Sequence, residues 1–242
     1  MRRFYASHEQ FKSGNIILNE DETRHLRDVL RLRETAEVQI FDGAGKEFSC
    51  IIETISKRET VLRIKSEIAP HAPESDLDLT LSVALLKGEK FDLVVQKATE
   101  LGVTRLVPLM TKRADVKIKD SKDAEKRVER WRKIALEAAK QSGRAKLMII
   151  ETPMKFENFI KSETKAAKIL FAERDGENFS EITSSGKIIA VVGAEGGWET
   201  AEIETARENG FQIITFGGRI LRAETAAIAI AGILQNRFGD LR

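Results

Sequence analysis

Two glycine-rich runs hold the residues best suited to chemistry. One reads Gly193-Ala194-Glu195-Gly196-Gly197-Trp198, the other Gly217-Gly218-Arg219-Ile220-Leu221-Arg222-Ala223-Glu224-Thr225. Five of the sixteen glycines of the chain fall in these runs. Each follows a β-rich segment, 188–192 or 211–216, so the main chain can adopt positive φ and approach a ligand at a strand exit. A tight strand-to-helix turn uses the same residues, and spacing alone leaves both uses open. Neither run is a phosphate cradle: there is no G-x-x-x-x-G-K-[ST], and the spacing at Gly193 is not G-x-G-x-x-G. A cofactor without phosphates fits better. In the second run Arg222 and Glu224 stand at the start of an Ala/Ile-rich helix. A guanidinium there can stabilise developing negative charge and a carboxylate can accept a proton. A simple ion pair at a positive helix end uses the same two residues.

Such loops need a sheet behind them. Leu77, Leu79, Leu81, Val83 and Leu85 alternate as in a strand, and Phe91, Val94, Val95, Ala98 and Leu101 recur at helical spacing until Gly102. Strand-like runs follow at 105–110, 147–151, 168–172, 188–192 and 211–216, with helical runs at 122–141, 200–209 and 224–237. This alternation predicts an α/β unit, a mostly parallel sheet with helices on both faces. The first seventy residues differ. Short β-rich runs at 38–41, 48–52 and 61–64 surround one helix that starts at Asn19, which caps it while Glu22 reaches back. Leu26, Val29 and Leu30 form the inward stripe of that helix, and Arg24, Arg27 and Arg31 share another face. A proline-bearing stretch at 69–75 marks the boundary, giving domains 1–72 and 73–242.

The overall composition is that of an ordinary folded chain: 242 residues, 42% hydrophobic, with 40 basic against 38 acidic side chains. That balance excludes a basic tail protein and a highly charged disordered chain. The charge is uneven, however, because residues 112–146 carry 13 basic and 6 acidic side chains. The longest apolar stretch, 226–234, is far short of the roughly 20 residues of a membrane helix. The start has no apolar core of an export signal, and Cys50 is the single cysteine, so a reducing cytoplasm is expected. His8, His25 and His71 are too scattered for a zinc site, and no metal is expected. Cys50 and Trp131 read as core residues, Lys97 and Glu100 as an exposed helix face.

The glycine runs, together with KGEKFDLVVQKATELGV at 87–103, WRKIALEAAKQSGR at 131–144 and RFGDL at 237–241, resemble the bacterial small-subunit ribosomal RNA uridine-N3-methyltransferases of the SPOUT (α/β knot) superfamily, the RsmE family. The opening RRFY and its β-rich surroundings resemble that family's PUA-like barrel. Two positions depart from the family pattern: Ala194 stands where proline is usual and Ala223 where threonine is usual. The first loses a fixed φ and the second a hydroxyl.

The resemblance implies a trefoil-knotted parallel sheet with a small N-terminal PUA-like β-barrel that binds RNA, a fold that spacing alone would not suggest. It implies S-adenosylmethionine as methyl donor, 16S rRNA in the assembled small subunit as substrate, and a homodimer. The cofactor-binding residues so implied are Phe171, Ala172 and Glu173, then Val192, Gly193, Glu195, Gly196 and Gly197, then Phe216, Gly217, Ile220, Leu221, Arg222, Thr225 and Ala226. Arg222 and Glu224 are the candidate catalytic pair. The basic stretch, extended by Arg2, Arg3, Arg24, Arg27 and Arg31, suits phosphate contacts and predicts salt-sensitive RNA binding. A different RNA acceptor, such as a ribose 2′-hydroxyl or a tRNA base, and a non-catalytic assembly factor are the competing expectations. A nicotinamide-dependent oxidoreductase lacks its glycine fingerprint.

Overall fold

The computed structural model describes residues 2–162, 165–174, 176–183 and 186–241. The chain divides into two compact units, Met1–Glu74 with Ala139–Leu147, and Ser75–Ala138 with Met148–Arg242.

In the first unit six strands form one sheet: β1 Arg3–Tyr5, β2 Phe11–Lys12, β3 Asn15–Leu18, β4 Glu37–Phe41, β5 Glu47–Ile55 and β6 Thr60–Ile68. Their order is β1-β4-β5-β6-β3-β2, antiparallel except for the β1/β4 pair. Register shifts at Ser49/Cys50 and Ile52/Thr54 let the long β5/β6 ribbon curl over a core of Phe4, Ile16, Leu18, Leu26, Val38, Ile40 and Leu62. Cys50 is fully buried there, and burial pushes its thiol up to about 12.

Helix α1, Glu20–Arg24, starts as expected: the Asn19 side chain accepts a hydrogen bond from the Glu22 amide. Its continuation does not. Residues His25–Val29 widen into a π-turn in which the Leu30 amide donates to the His25 carbonyl, and Arg31 follows at φ 52. The wider turn breaks the 3.6-residue period, so Leu26 alone of the predicted stripe is buried, while Val29 is 68% exposed. Arg31 lies beyond the helix and does not share a face with Arg24 and Arg27. Glu22, predicted to reach back to the cap, pairs instead with Lys140.

Arg3 is also corrected. It is buried in an ion pair with Glu47 at 2.8 Å, donates to the carbonyls of Ala139 and Arg144, and covers the Phe41 ring. A guanidinium held this way fixes residues 139–147 to the sheet and offers nothing to a phosphate. Arg144 is likewise buried against Glu74. Three of the basic side chains assigned to the RNA track, Arg3, Lys140 and Arg144, are thus structural.

The second unit continues with β7 Asp78–Ala84, α2 Lys90–Glu100, β8 Arg105–Met110, α3 Ser121–Ser142, β9 Ile149–Ile150, β10 Met154–Lys155, α4 Phe156–Ile160, β11 Ala167–Ala172, β12 Glu177–Asn178, β13 Lys187–Val192, α5 Thr200–Glu208, β14 Gln212–Thr215 and α6 Ala223–Phe238. The last turn of α3, from Ala139 onward, belongs to the first unit. The sheet is parallel, in the order β10-β8-β7-β13-β11-β14-β12, with β9 beside β8. Alternate side chains of each strand serve the two faces. Ile188, Ala190 and Val192 of β13 join Phe91, Trp131 and Ile230 from α2, α3 and α6. Ile189 and Val191 join Phe156, Phe159 and Ala206 from α4 and α5 on the other face.

The strand order places the site. Strands β13 and β14 lie on either side of β11, although both follow it in the chain. In register, Phe171 is paired with Val192 on one side and with Ile214 on the other. Three strand exits therefore stand side by side. After β14 the chain turns back as α6 to pack on α2, β13 and β7, so it wraps around β11 before it ends.

Candidate active site

The three exits enclose a cavity of about 260 Å³. Phe171, Ala172 and Glu173 line it from β11, and Val192, Gly193, Glu195 and Gly197 from β13. The β14 exit and α6 contribute Phe216, Ile220, Leu221, Arg222 and Ala226. All of these were expected from the sequence. Gly196, Gly217 and Thr225, expected with them, do not line the cavity. Gly196 is turned to Arg113, a Cβ on Gly217 would meet nothing within 4 Å, and Thr225 is exposed on α6. Ala194, Trp198, Arg219, Ala223 and Ile230 line it as well, although the resemblance does not place them among the cofactor-binding residues. For Trp198 a signal existed: an aromatic directly after a glycine turn at a strand exit.

Trp198 builds the wall that the β13 turn leans on. Its ring is 8% exposed, packs against Phe156, and its Nε1 donates to the Phe171 carbonyl at 2.9 Å. A Cβ on Gly193 would meet that ring at 3.0 Å, so glycine lets the main chain pass the ring without displacing it. The turn closes with the Gly197 amide donating to the Ala194 carbonyl at 3.0 Å, and Gly197 sits at φ +68 against the Glu173 carboxylate. On the other wall Phe216 meets Phe179 edge-on, and Phe179 in turn neighbours Phe171.

The charged groups are arranged unevenly. Glu195 forms an ion pair with Lys90 at 2.8 Å. Burial pushes its carboxyl up, but the hydrogen bond from Lys90, a backbone hydrogen bond and the Lys90 charge outweigh this and hold it below the usual carboxylate value. Arg219 and Arg222 are exposed at the opposite rim. Glu224, in the first turn of α6, is buried, and its Oε2 has no hydrogen-bond partner among the described residues. It does not line the cavity. The arrangement is thus not the simple ion pair with Arg222 that the spacing had left open. Removing a carboxylate oxygen from water without a partner costs free energy, and that makes Glu224 the carboxylate of this helix start to test for a role in the site.

The family described as an RNA methyltransferase domain matches residues 73–235, and that described as an RNA methyltransferase PUA domain matches residues 18–65. The chain is 33% identical to the ribosomal RNA small subunit methyltransferase E of Aquifex aeolicus, over 98% of this chain and 100% of that one. It is 31% identical to the protein of the same name from Mesomycoplasma hyopneumoniae, over 94% and 96%. Among solved structures it is similar to a ribosomal RNA small subunit methyltransferase E from Neisseria gonorrhoeae bound to S-adenosyl methionine. That match has a TM-score of 0.90 at 32% identity and covers all of both chains.

Proposed function

The chain belongs to the RNA methyltransferase family that includes the ribosomal RNA small subunit methyltransferases E, and from that premise we propose that it transfers a methyl group from S-adenosylmethionine to N3 of a uridine in 16S rRNA. Its fold is the SPOUT-type α/β sheet joined to a curled, PUA-like sheet. The observation that carries the proposal is the convergence of three adjacent strand exits on one cavity that is apolar in its walls and glycine-rich in its turn.

The cavity suits this cofactor. Phe171, Val192, Phe216 and Leu221 offer apolar surface to a nucleoside, and Gly193 and Gly197 bring main-chain groups within reach of it. The Glu173 carboxylate on the cavity wall can face the positive sulfonium or ammonium group, while the Glu195 carboxylate is balanced by Lys90. When bound, the cofactor supplies a methyl group that is already electrophilic, so alignment and exclusion of water are what the protein must add.

Uracil N3 carries a proton at neutral pH and lies on the pairing edge, so the base must be presented unpaired and the proton removed. Glu224, whose Oε2 is buried and unpartnered among the described residues, accepts that proton or orients the group that does. Arg222, exposed at the rim, stabilises the negative charge that develops on the uracil oxygens. The basic residues that remain free to meet phosphates include Lys117, Lys119, Lys122, Lys126, Arg132 and Lys133, all exposed. Residues 1–72 are assigned to RNA binding and 73–242 to methyl transfer. The enzyme acts in the cytoplasm as a homodimer on assembled small subunits.

Single-turnover methylation with cofactor-saturated protein tests the assignment. At saturating cofactor Arg222→Ala and Glu224→Gln are each expected to slow transfer by about 100-fold or more, with cofactor binding retained by Glu224→Gln. Wild-type rates in both variants would remove these side chains from the mechanism, and mass spectrometry of the product identifies the methylated atom.

A further inference from the structure

The turn at 194–197 is held from outside the cavity by residues that the methyl-transfer reading does not use. Arg113 Nη1 donates to the Gly196 carbonyl at 3.1 Å. The approach is close: a Cβ on Gly196 would lie 3.0 Å from Arg113 Cβ and 3.2 Å from the Arg113 carbonyl oxygen. Neither Arg113 nor Gly196 lines the cavity, whereas the turn residues on both sides of Gly196 do. Gly196 is thus the outward point of a turn whose inner surface is the cavity wall.

Arg113 is itself anchored by the short segment that carries it. The preceding Lys112 amide donates to Glu202 Oε1 at 3.0 Å, and Glu202 is buried at the start of α5 with its Oε2 accepting from the Glu199 amide. Two residues beyond Arg113, Asp115 pairs with Lys87 at 2.8 Å. Lys87 and Lys90 leave the same β7–α2 connection, and Lys90 holds Glu195 of the turn. Segment 112–115 is therefore tied to α5 on one side and to residue 87 on the other, with the turn between.

We propose that Arg113 is a positioning residue for the cofactor: its guanidinium, presented by this anchored strap, fixes the Gly196 carbonyl and so sets the cavity face of the turn before the cofactor arrives. The sequence supports a different use for Arg113, as one of the thirteen basic residues of a phosphate-binding stretch, and the hydrogen bond to Gly196 argues against it. Holding Nη1 on that carbonyl fixes the guanidinium beside the turn, which a side chain free to follow a phosphate backbone would not need. The proposal rests on the cavity being the S-adenosylmethionine site.

The test uses the full-length protein. Cofactor affinity is measured by calorimetry, and KM for cofactor and kcat on small-subunit RNA are measured separately, for wild type, Arg113→Ala and Arg113→Lys. Loss of one such hydrogen bond predicts that Arg113→Ala raises the cofactor Kd and KM by about fivefold to tenfold, with kcat at saturation within about twofold. Arg113→Lys, which retains one cationic donor, recovers part of the affinity. A residue that merely supported the fold would lower the melting temperature without this separation of KM from kcat. Unchanged cofactor binding in Arg113→Ala, or a loss confined to RNA affinity, overturns the positioning role and returns Arg113 to the phosphate track. Absence of cofactor binding by the wild-type protein overturns the cavity assignment itself.

Discussion

The two glycine runs look alike in sequence and differ in the folded chain. In the β13 turn the glycines are crowded: added Cβ atoms on Gly193, Gly196 and Gly197 would lie 3.0, 3.0 and 3.1 Å from Trp198, Arg113 and Glu173. In the β14 loop Gly217 and Gly218 have nothing within 4 Å, and Ile220 is 66% exposed. In the first run a Cβ at any of the three glycines would be in tight contact that its neighbour must yield to, and Gly197 also sits at positive φ. The second run uses glycine beside solvent, where chain freedom is all that remains for it to supply. A rigid wall and an open rim around one cavity suit a division of work, with the wall shaped for the methyl donor and the rim, carrying Arg219 and Arg222, left to adapt to the acceptor.

Substituting glycines on the two sides should break the comparison most visibly. Gly197→Ala forces an L-residue to φ +68 and pushes a methyl against the Glu173 carboxylate, and Gly193→Ala pushes one into the Trp198 ring. Overpacking of this kind costs about 1–3 kcal/mol, which corresponds to roughly fivefold to 150-fold in cofactor affinity if the turn must shift to accommodate it. Gly218→Ala, in open space, should alter cofactor Kd by less than about twofold. Calorimetric titration of the three variants is sufficient. Equal losses on both sides would show that crowding in the free protein does not distinguish the two loops.

Stability should follow the same division with smaller effects. Trp198→Phe keeps a ring in the wall but removes the indole donor to the Phe171 carbonyl, and loss of that buried hydrogen bond costs about 0.5–1.5 kcal/mol. Ile220→Ala removes an exposed side chain and should change stability by no more than about 0.5 kcal/mol. Denaturant midpoints of the two variants measure the difference. A destabilisation by Ile220→Ala as large as that by Trp198→Phe would mean that the rim is as tightly packed as the wall.

How much of the molecule is legible in its sequence depends on the physics behind each signal. Strand and helix alternation from residue 77 onward is a burial pattern, and Leu79, Leu81, Phe91, Val94 and Val95 are all in the core as their spacing requires. The two glycine runs can be placed at strand exits for the same reason. Contacts made at a distance are not legible. Nothing near Arg3 in sequence announces Glu47 or the carbonyls of Ala139 and Arg144, so a buried guanidinium reads as a surface cation. The π-turn at His25–Val29 carries the same residue types as an α-helix, and its wider turn is what exposes Val29. At the site, Ala223 and Ile230 line the cavity because α6 folds back from β14, which only the strand order β13-β11-β14 explains.

The smallest effect concerns pH, and it separates wall from rim by the chemistry of their charges. The rim carries the guanidinium groups of Arg219 and Arg222. The wall is latched by the Lys90–Glu195 pair, and Glu195 is a carboxyl held below its ordinary value of 4.5 by that partner despite burial. A carboxyl depressed in the folded chain contributes fully above its ordinary value and loses that contribution as pH falls through the depressed one. The latch is therefore complete at neutral pH and opens only below about 4.5. Cofactor affinity of the wild-type protein should show no change from this pair between about pH 8 and 6 and a modest decline on further acidification. Glu195→Gln, which cannot carry the charge, should bind more weakly at neutral pH and show less of that acid decline. Parallel titration curves for the two proteins would mean that the turn keeps its shape without the ion pair, leaving the Gly196 carbonyl and the packing against Trp198 as what holds the wall.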